Sequence, residues 1–334
     1  MADQDDDRPE ETPEVAAEAA AGDDDLRSTP TRRKFLVGTT VAGSAAIVGA
    51  AFGLSRCDRE PSPTDHVTST RVDGPVPADD PTSSVWKKGK EARILLDGQN
   101  IAVPMRAEPV LRSVDVRSVH DGKTIGFLVE WEDPERDDLT VACDGFRDAC
   151  GVLLAPGGSA ANMRMMGAKD SPVTLLHWKA DWQRDLDDGF QGLEAAFPNT
   201  AVDYYPPLAA GTAVGSVDEY RAQKATMWLP GLHVANPIAV AEKTTAVEKL
   251  TAQGYGSATT LPTQDAAGRG VWENGTWKVA LAKPMTASDD GEIALTPGQD
   301  YGLAVAVWSG LDRDSGGHKS PSKLLLSLHV EAGS

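Results

Sequence analysis

Few of the residues that carry chemistry in this chain stand in a spacing that commits them to one reaction. No CxxCH occurs, which excludes covalent attachment of a c-type haem. There is no HExxH, no CxxC pair to suggest zinc, and no GxSxG. Gly122-Lys123-Thr124 ends like a phosphate loop, but Arg117 stands where its earlier glycine is needed. Cys143 and Cys150, in VACDGFRDACGVLL, either close a small disulfide loop in an oxidising compartment or remain two half-buried thiols. Met163, Met165 and Met166 cluster near a Trp-rich strand, and such clusters more often pack a core than bind a metal. Lys319, in SGGHKSPS, reads alone as a solvated loop residue. His177 and His318 neighbour these positions and carry imidazole, the commonest metal ligand among side chains.

The elements that must position these residues are mostly strands. ARILLDGQNIAVPM, SVDVRSVHDGKTIGFLVEW, VTLLHWKADW, VWENGTWKVAL, YGLAVAVW and KLLLSLHV are rich in β-branched and aromatic residues. Several alternate with period two, and turn residues punctuate them. Asn274-Gly275 fits a two-residue type I′ turn that sets Trp272 opposite Trp277. Asn274-Gly275-Thr276 is also a glycosylation sequon, which the turn explains without sugar. Helix is scarce. TTAVEKLTAQG (244–254) is the best candidate, with Ala246, Val247 and Leu250 on one face and Gly254 as its stop, and VDEYRAQKA (217–225) is a weaker one. The pattern predicts a mainly β fold: a β-sandwich with long loops and a few short helices, in one domain over 85–334.

The N-terminal part differs in kind. Residues 1–30 hold eleven Asp and Glu against two Arg and no aromatic residue. Such a segment cannot bury enough apolar surface to offset chain entropy and is expected to be a disordered acidic tail. Residues 31–56 open on Thr31-Arg32-Arg33-Lys34-Phe35-Leu36 and continue as an apolar small-residue run. This is the pattern of a twin-arginine signal, with membrane anchoring through residues 35–55 as the other use of the same run. Leu54-Ser55-Arg56-Cys57 looks like a lipoprotein cleavage box, except that Arg56 sits where a small residue is wanted. Residues 57–84 are rich in Pro, Asp, Ser and Thr and read as a linker. Export to the periplasm or the outer face of the cytoplasmic membrane is the expectation, by a route used for proteins that fold and often load a cofactor first. The chain carries a formal charge of −18, of which about −13 remains without the tail and signal. That balance disfavours nucleic acid, since a phosphate backbone needs a basic face. It suits either a solvated acidic surface of the halophilic type or plain solubility.

A resemblance adds to this reading. MRMMGAKDSPVTLLHWKADWQ (163–183), FLVEWEDPERDD (127–138) followed by FRDACGVLLAP, WENGTWKVALAKPM, and LAVAVWSGLDRDSGGHKSPSKLLLSL occur in consistent order over about 85–334. Together they resemble the ethylbenzene dehydrogenase-type haem-binding family, the gamma subunits of exported molybdenum enzymes of the dimethyl sulfoxide reductase superfamily, which includes dimethyl sulfide, selenate and chlorate enzymes. The resemblance implies a β-sandwich holding one non-covalent haem b, with a methionine and a lysine as axial ligands. Met166, before Gly167, and Lys319, in the polar loop before the last strand, occupy the matching places. Met165 is adjacent to the first, and a Met–His or His–Lys pair using His177 or His318 is the alternative from the residues themselves. Ligation by Lys319 requires a neutral amine, hence a dry site that lowers its pKa.

What the resemblance implies about function is a non-catalytic electron carrier. Its haem would link an iron–sulfur beta subunit, which serves a molybdopterin alpha subunit, to an external electron carrier. Two rivals stand beside it: a haem-free secreted module of the carbohydrate-binding type, for which exposed Trp would suit sugar faces, and a stand-alone b-type cytochrome.

Overall fold

In the computed structural model, described over residues 62–157, 166–199, 231, 234, 236–240 and 242–333, strands dominate. In chain order they are β1 (His66–Arg71), β2 (Ala92–Leu95), β3 (Ser113–His120), β4 (Thr124–Glu132), β5 (Ala149–Ala155) and β6 (Val173–Lys179). Two short helices follow, α1 (Ala180–Asp188) and α2 (Leu193–Ala196). Then come β7 (Val247–Ala252), β8 (Thr259–Thr260), β9 (Ala267–Glu273), β10 (Thr276–Pro284), β11 (Asp300–Trp308), β12 (Ser320–Pro321) and β13 (Leu326–Val330). They hydrogen-bond in the order β8-β7-β6-β5-β11-β13-β1-β3-β4-β10-β9, with β2 on β3 and β12 on β11.

This sheet turns back on itself, and the evidence is the tryptophan core. Trp178 of β6 meets Trp277 of β10 edge-on at 5.0 Å and Trp131 of β4 at 6.5 Å, although these strands lie far apart in the sheet order. Alternating residues of both arms, including Val152, Leu154, Val305 and Val307 from one and Val116, Phe127, Val129 and Leu281 from the other, fill the same core. Each buried indole removes roughly 150–250 Å² from water; at about 25 cal/mol per Å², that is on the order of 4–6 kcal/mol before conformational entropy is subtracted. Their N–H groups are satisfied inside. Trp178 Nε1 donates to Gln183 Oε1 at 3.0 Å and Trp277 Nε1 to Asp148 Oδ2 at 3.0 Å, while Gln183 of α1 bonds both backbone groups of Gly270 in β9. The result is the sandwich expected from the sequence, with its two layers tied across by α1.

The hairpin is as expected: Asn274 and Gly275 have φ of 53° and 75°, and Trp272 pairs with Trp277. Two expectations are corrected. The stretch 244–254 is no helix but β7, an inner strand between β6 and β8. Its adjacent charges decide this: Glu248 pairs with Lys179, while Lys249 pairs with Glu292 at 2.9 Å and with Asp265. Only a period of two sends neighbouring residues to opposite faces. The stretch 57–84 is not merely a linker, because β1 lies within it, parallel to both β13 and β3. Its inward side is Val67 and Ser69, and the buried serine breaks the apolar alternation that would mark a strand. Val72 and Trp86 then pack with Val119, Leu128 and Ala280 on the outer side of the other arm.

Cys143 is exposed and Cys150 buried in β5, and both are free thiols. Residues 1–56, the weaker helix candidate 217–225, and Met163 and Met165 lie outside the described residues. Among the described residues no helix is long and apolar enough to cross a membrane.

Candidate functional site

The strand pattern that fills the core with large residues leaves the opposite face of β5, β6, β7 and β11 lined with small and apolar ones. In register across the strands, one row reads Ala306, Gly151, His177, Glu248 and the next Ala304, Leu153, Leu175, Leu250. Leu153, Ala155, Val173 and Ala252 form a separate apolar cluster there, against which Met166, Leu175, Ala304 and Leu325 pack. Both faces of this arm therefore carry apolar residues, unlike an antiparallel sheet that turns one wholly polar face to water.

Met166 reaches this face from the turn before β6. Ala168 and Ser171 exchange backbone hydrogen bonds at 3.0 and 2.9 Å, and the Met166 carbonyl accepts from the Gly254 N–H at 2.9 Å. The residue is held at φ 66°, a left-handed conformation uncommon for a side chain of this size. Backbone strain of this kind costs on the order of 1–3 kcal/mol and concentrates at functional sites.

Lys319 arrives from a loop 153 residues further along the chain. The loop after β11 is fastened at three points: the Gly310 N–H donates to Asp148 Oδ1 at 2.9 Å, Arg106 bonds buried Asp314 at 2.8 Å, and Trp308 Nε1 donates to the Gly316 carbonyl at 3.1 Å. Ser320 then registers with Val307, which brings Lys319 level with Trp308. Its Nζ lies 5.0 Å from the centre of the Trp308 ring and 3.9 Å from Met166 Sδ, across 153 residues of sequence. The residue keeps some exposure, but its amine is crowded by protein, and desolvation alone pulls its pKa down to about 8. No carboxylate among the described residues pairs with it.

Two sequence candidates part company here. His177 lies on the same face, its ring 4.6 Å from that of Trp308 and tilted by 31°. Its Nε2 is buried and has no hydrogen-bond partner among the described residues. Burial first, then the charges of Lys179, Arg147 and Lys319, hold its pKa well below the ordinary imidazole value, so the ring is neutral. His318 instead bonds the Val103 carbonyl through Nε2 at 3.1 Å. Sequence reasoning missed Trp308 and Gly151. A Cβ on Gly151 would stand 3.3 Å from the Trp308 ring, so the missing side chain is what lets the indole lie across this row toward His177. The small-large alternation Gly302, Leu303, Ala304, Val305, Ala306, Val307 was the available signal for such a face.

The arrangement sets two potential metal donors, a thioether and an amine, side by side at an apolar cluster. Zinc bonds to nitrogen and sulfur run roughly 2.0 and 2.3 Å, so a metal in line between two such donors spans roughly 4.3 Å, somewhat more than the 3.9 Å at which the amine donates to the thioether. A thioether is a neutral donor, and an amine whose pKa is pulled down to about 8 becomes one at modest cost.

The class defined by fold and site is a β-sandwich that sets a thioether and a desolvated amine together on the apolar outer face of one layer. Residues 83–320 match the family described as ethylbenzene dehydrogenase, and the chain belongs to that family. A Haloferax mediterranei protein whose name assigns it as the heme subunit ORF7 of a respiratory nitrate reductase is 16% identical over 243 residues, 73% of this chain. The chain spans 65% of that relative's length. Among solved structures, a family 9 carbohydrate binding module from Caldicellulosiruptor kristjanssonii, in complex with glucose, aligns with 80% of this chain and 97% of its own. Its identity is 8% and its TM-score 0.35. The same module in complex with cellotriose gives 9% identity, 80% and 95% coverage and a TM-score of 0.35.

Proposed function

We propose that this chain is an electron-transfer subunit that holds one non-covalent haem b between Met166 Sδ and Lys319 Nζ, and that it makes and breaks no substrate bonds itself. The observation that carries the reading is the approach of these two side chains to 3.9 Å across 153 residues of sequence. Membership of the ethylbenzene dehydrogenase family and the name of the haloarchaeal relative support it. Bound there, haem supplies reversible one-electron chemistry, and two uncharged ligands, one a thioether, favour the ferrous state.

The protein's own part is to prepare the ligands. An ordinary lysine would need several kcal/mol to lose its proton at neutral pH. With its pKa at about 8, Lys319 needs on the order of 1–2 kcal/mol. Trp308 stands beside the amine, and Leu325 packs against the same apolar cluster as Met166. Within this proposal the partners are an iron–sulfur subunit and the molybdopterin subunit it serves, with an external electron carrier on the other side. Residues 31–56 direct export by the twin-arginine route.

The test is a spectrum. Protein purified after export should show a low-spin haem that acid–acetone extracts, since no thioether bridge retains it. Met166→Ala and Lys319→Ala should each lose haem or turn high-spin, while Met165→Ala stays silent. Protein free of haem would favour a binding module. Unaltered spectra in both variants, with loss in His177→Ala or His318→Ala, would move the ligands to imidazole.

A further inference from the structure

One polar atom on the apolar face has no task in axial ligation. His177 Nε2 is buried without a hydrogen-bond partner among the described residues, and leaving a buried polar group unsatisfied is costly. Such atoms in native folds call for a partner that the polypeptide does not supply. The imidazole is neutral, so one ring nitrogen carries a proton to donate and the other can only accept. Two cations, Lys179 and Arg147, act on this ring electrostatically. Lys179 is engaged with Glu248, and Arg147 with Asp181 at 2.7 Å, so both are already paired. Trp308 connects His177 to the proposed haem site, since its ring lies 4.6 Å from that of His177 and 5.0 Å from Lys319 Nζ. Haem b bears two carboxylate side arms at one edge of an otherwise apolar disc. A single neutral donor set in an apolar face matches one of them.

We propose that His177 is a positioning residue, not an axial ligand: its Nε2–H donates to a carboxylate side arm of the haem and fixes the rotation of the disc between Met166 and Lys319. This rests on the haem reading above. Replacing the side-arm carboxylates with methyl esters removes the acceptor charge while leaving the iron and its ligands in place. Full-length protein produced without haem is therefore titrated with haem b and with its dimethyl ester, followed by the low-spin band.

Wild type should bind the ester about ten- to a hundred-fold more weakly, the range of a hydrogen bond to a charged group. His177→Leu should lose about the same factor for haem b, discriminate little between the two porphyrins, and keep the low-spin spectrum of the wild type. His177→Gln, which restores a donor, should recover part of the discrimination. A His177→Leu protein that still prefers the free acid by the wild-type factor overturns the assignment, as does a wild type that binds both porphyrins equally. High-spin iron in His177→Leu would make His177 a ligand instead. Failure of wild type to bind either porphyrin would remove the haem reading itself, so the two failures are distinct.

Discussion

Burial sets the chemistry of single residues here, and it acts in opposite directions on acids and bases. Desolvation lowers Lys319 toward a usable neutral amine, and the same effect raises Asp148. Asp148 is fully buried beside Asp133 and accepts from Trp277 Nε1, from the Gly310 N–H and, at 2.8 Å, from the Asp137 N–H. Burial first, then the Asp133 charge, push its pKa up to about 7 from 3.8. Between these values the native state holds the proton more tightly than the unfolded chain, so stability falls as pH rises through that window. The contribution is fully present below pH 4 and gone above pH 7. Unfolding of wild type and Asp148→Asn in urea at pH 5 and pH 8 should therefore show wild type losing on the order of 1–3 kcal/mol relative to the variant. A gap independent of pH would contradict the shift.

Among the elements, the β9–β10 hairpin is fixed by its own two turn residues. Gly275 at φ 75° makes a Cβ costly there, and Gly275→Ala should destabilise by about 1–2 kcal/mol. Urea unfolding monitored by tryptophan fluorescence would read the loss, since Trp272 and Trp277 flank the turn; an unchanged midpoint would argue against a strained turn. This hairpin was legible in the sequence because its signal is local. β7 was not, because 244–254 has helical spacing of Ala246, Val247 and Leu250, and what selects a strand is the pairing of Glu248 and Lys249 with distant partners on opposite faces. The site has the same character. Nothing local to Met166 or Lys319 marks either as a ligand; resemblance singled them out, and tertiary packing brings them together. The imidazole alternatives likewise differ only in tertiary position, His318 bonded to the Val103 carbonyl and His177 beside Trp308.

At the scale of the whole molecule, β1 joins the two arms of the sheet. It registers His66 with Ser327 of β13 and Ser69 with Ser118 of β3, so its removal leaves both neighbours with an open edge. Residues 58–334 form one compact unit. A chain beginning at Asp58 should keep the near-ultraviolet dichroism of the tryptophan core and unfold cooperatively. One beginning at Val72 should lose that signal or aggregate. Equal behaviour of the two truncations would mean that β1 is dispensable.

The placement of β1 also sets an order of events at the ribosome. This strand is among the first parts of the domain to be synthesised, yet one of its two edges waits for β13, among the last. Lys319 is translated only just before that partner, so the sheet's last seam and the thioether–amine pair come within reach together. A nascent chain tethered short of its final strand can present Met166 but not its counterpart. Closure of the sheet and the meeting of Met166 with Lys319 thus both wait for the same late stretch of the chain.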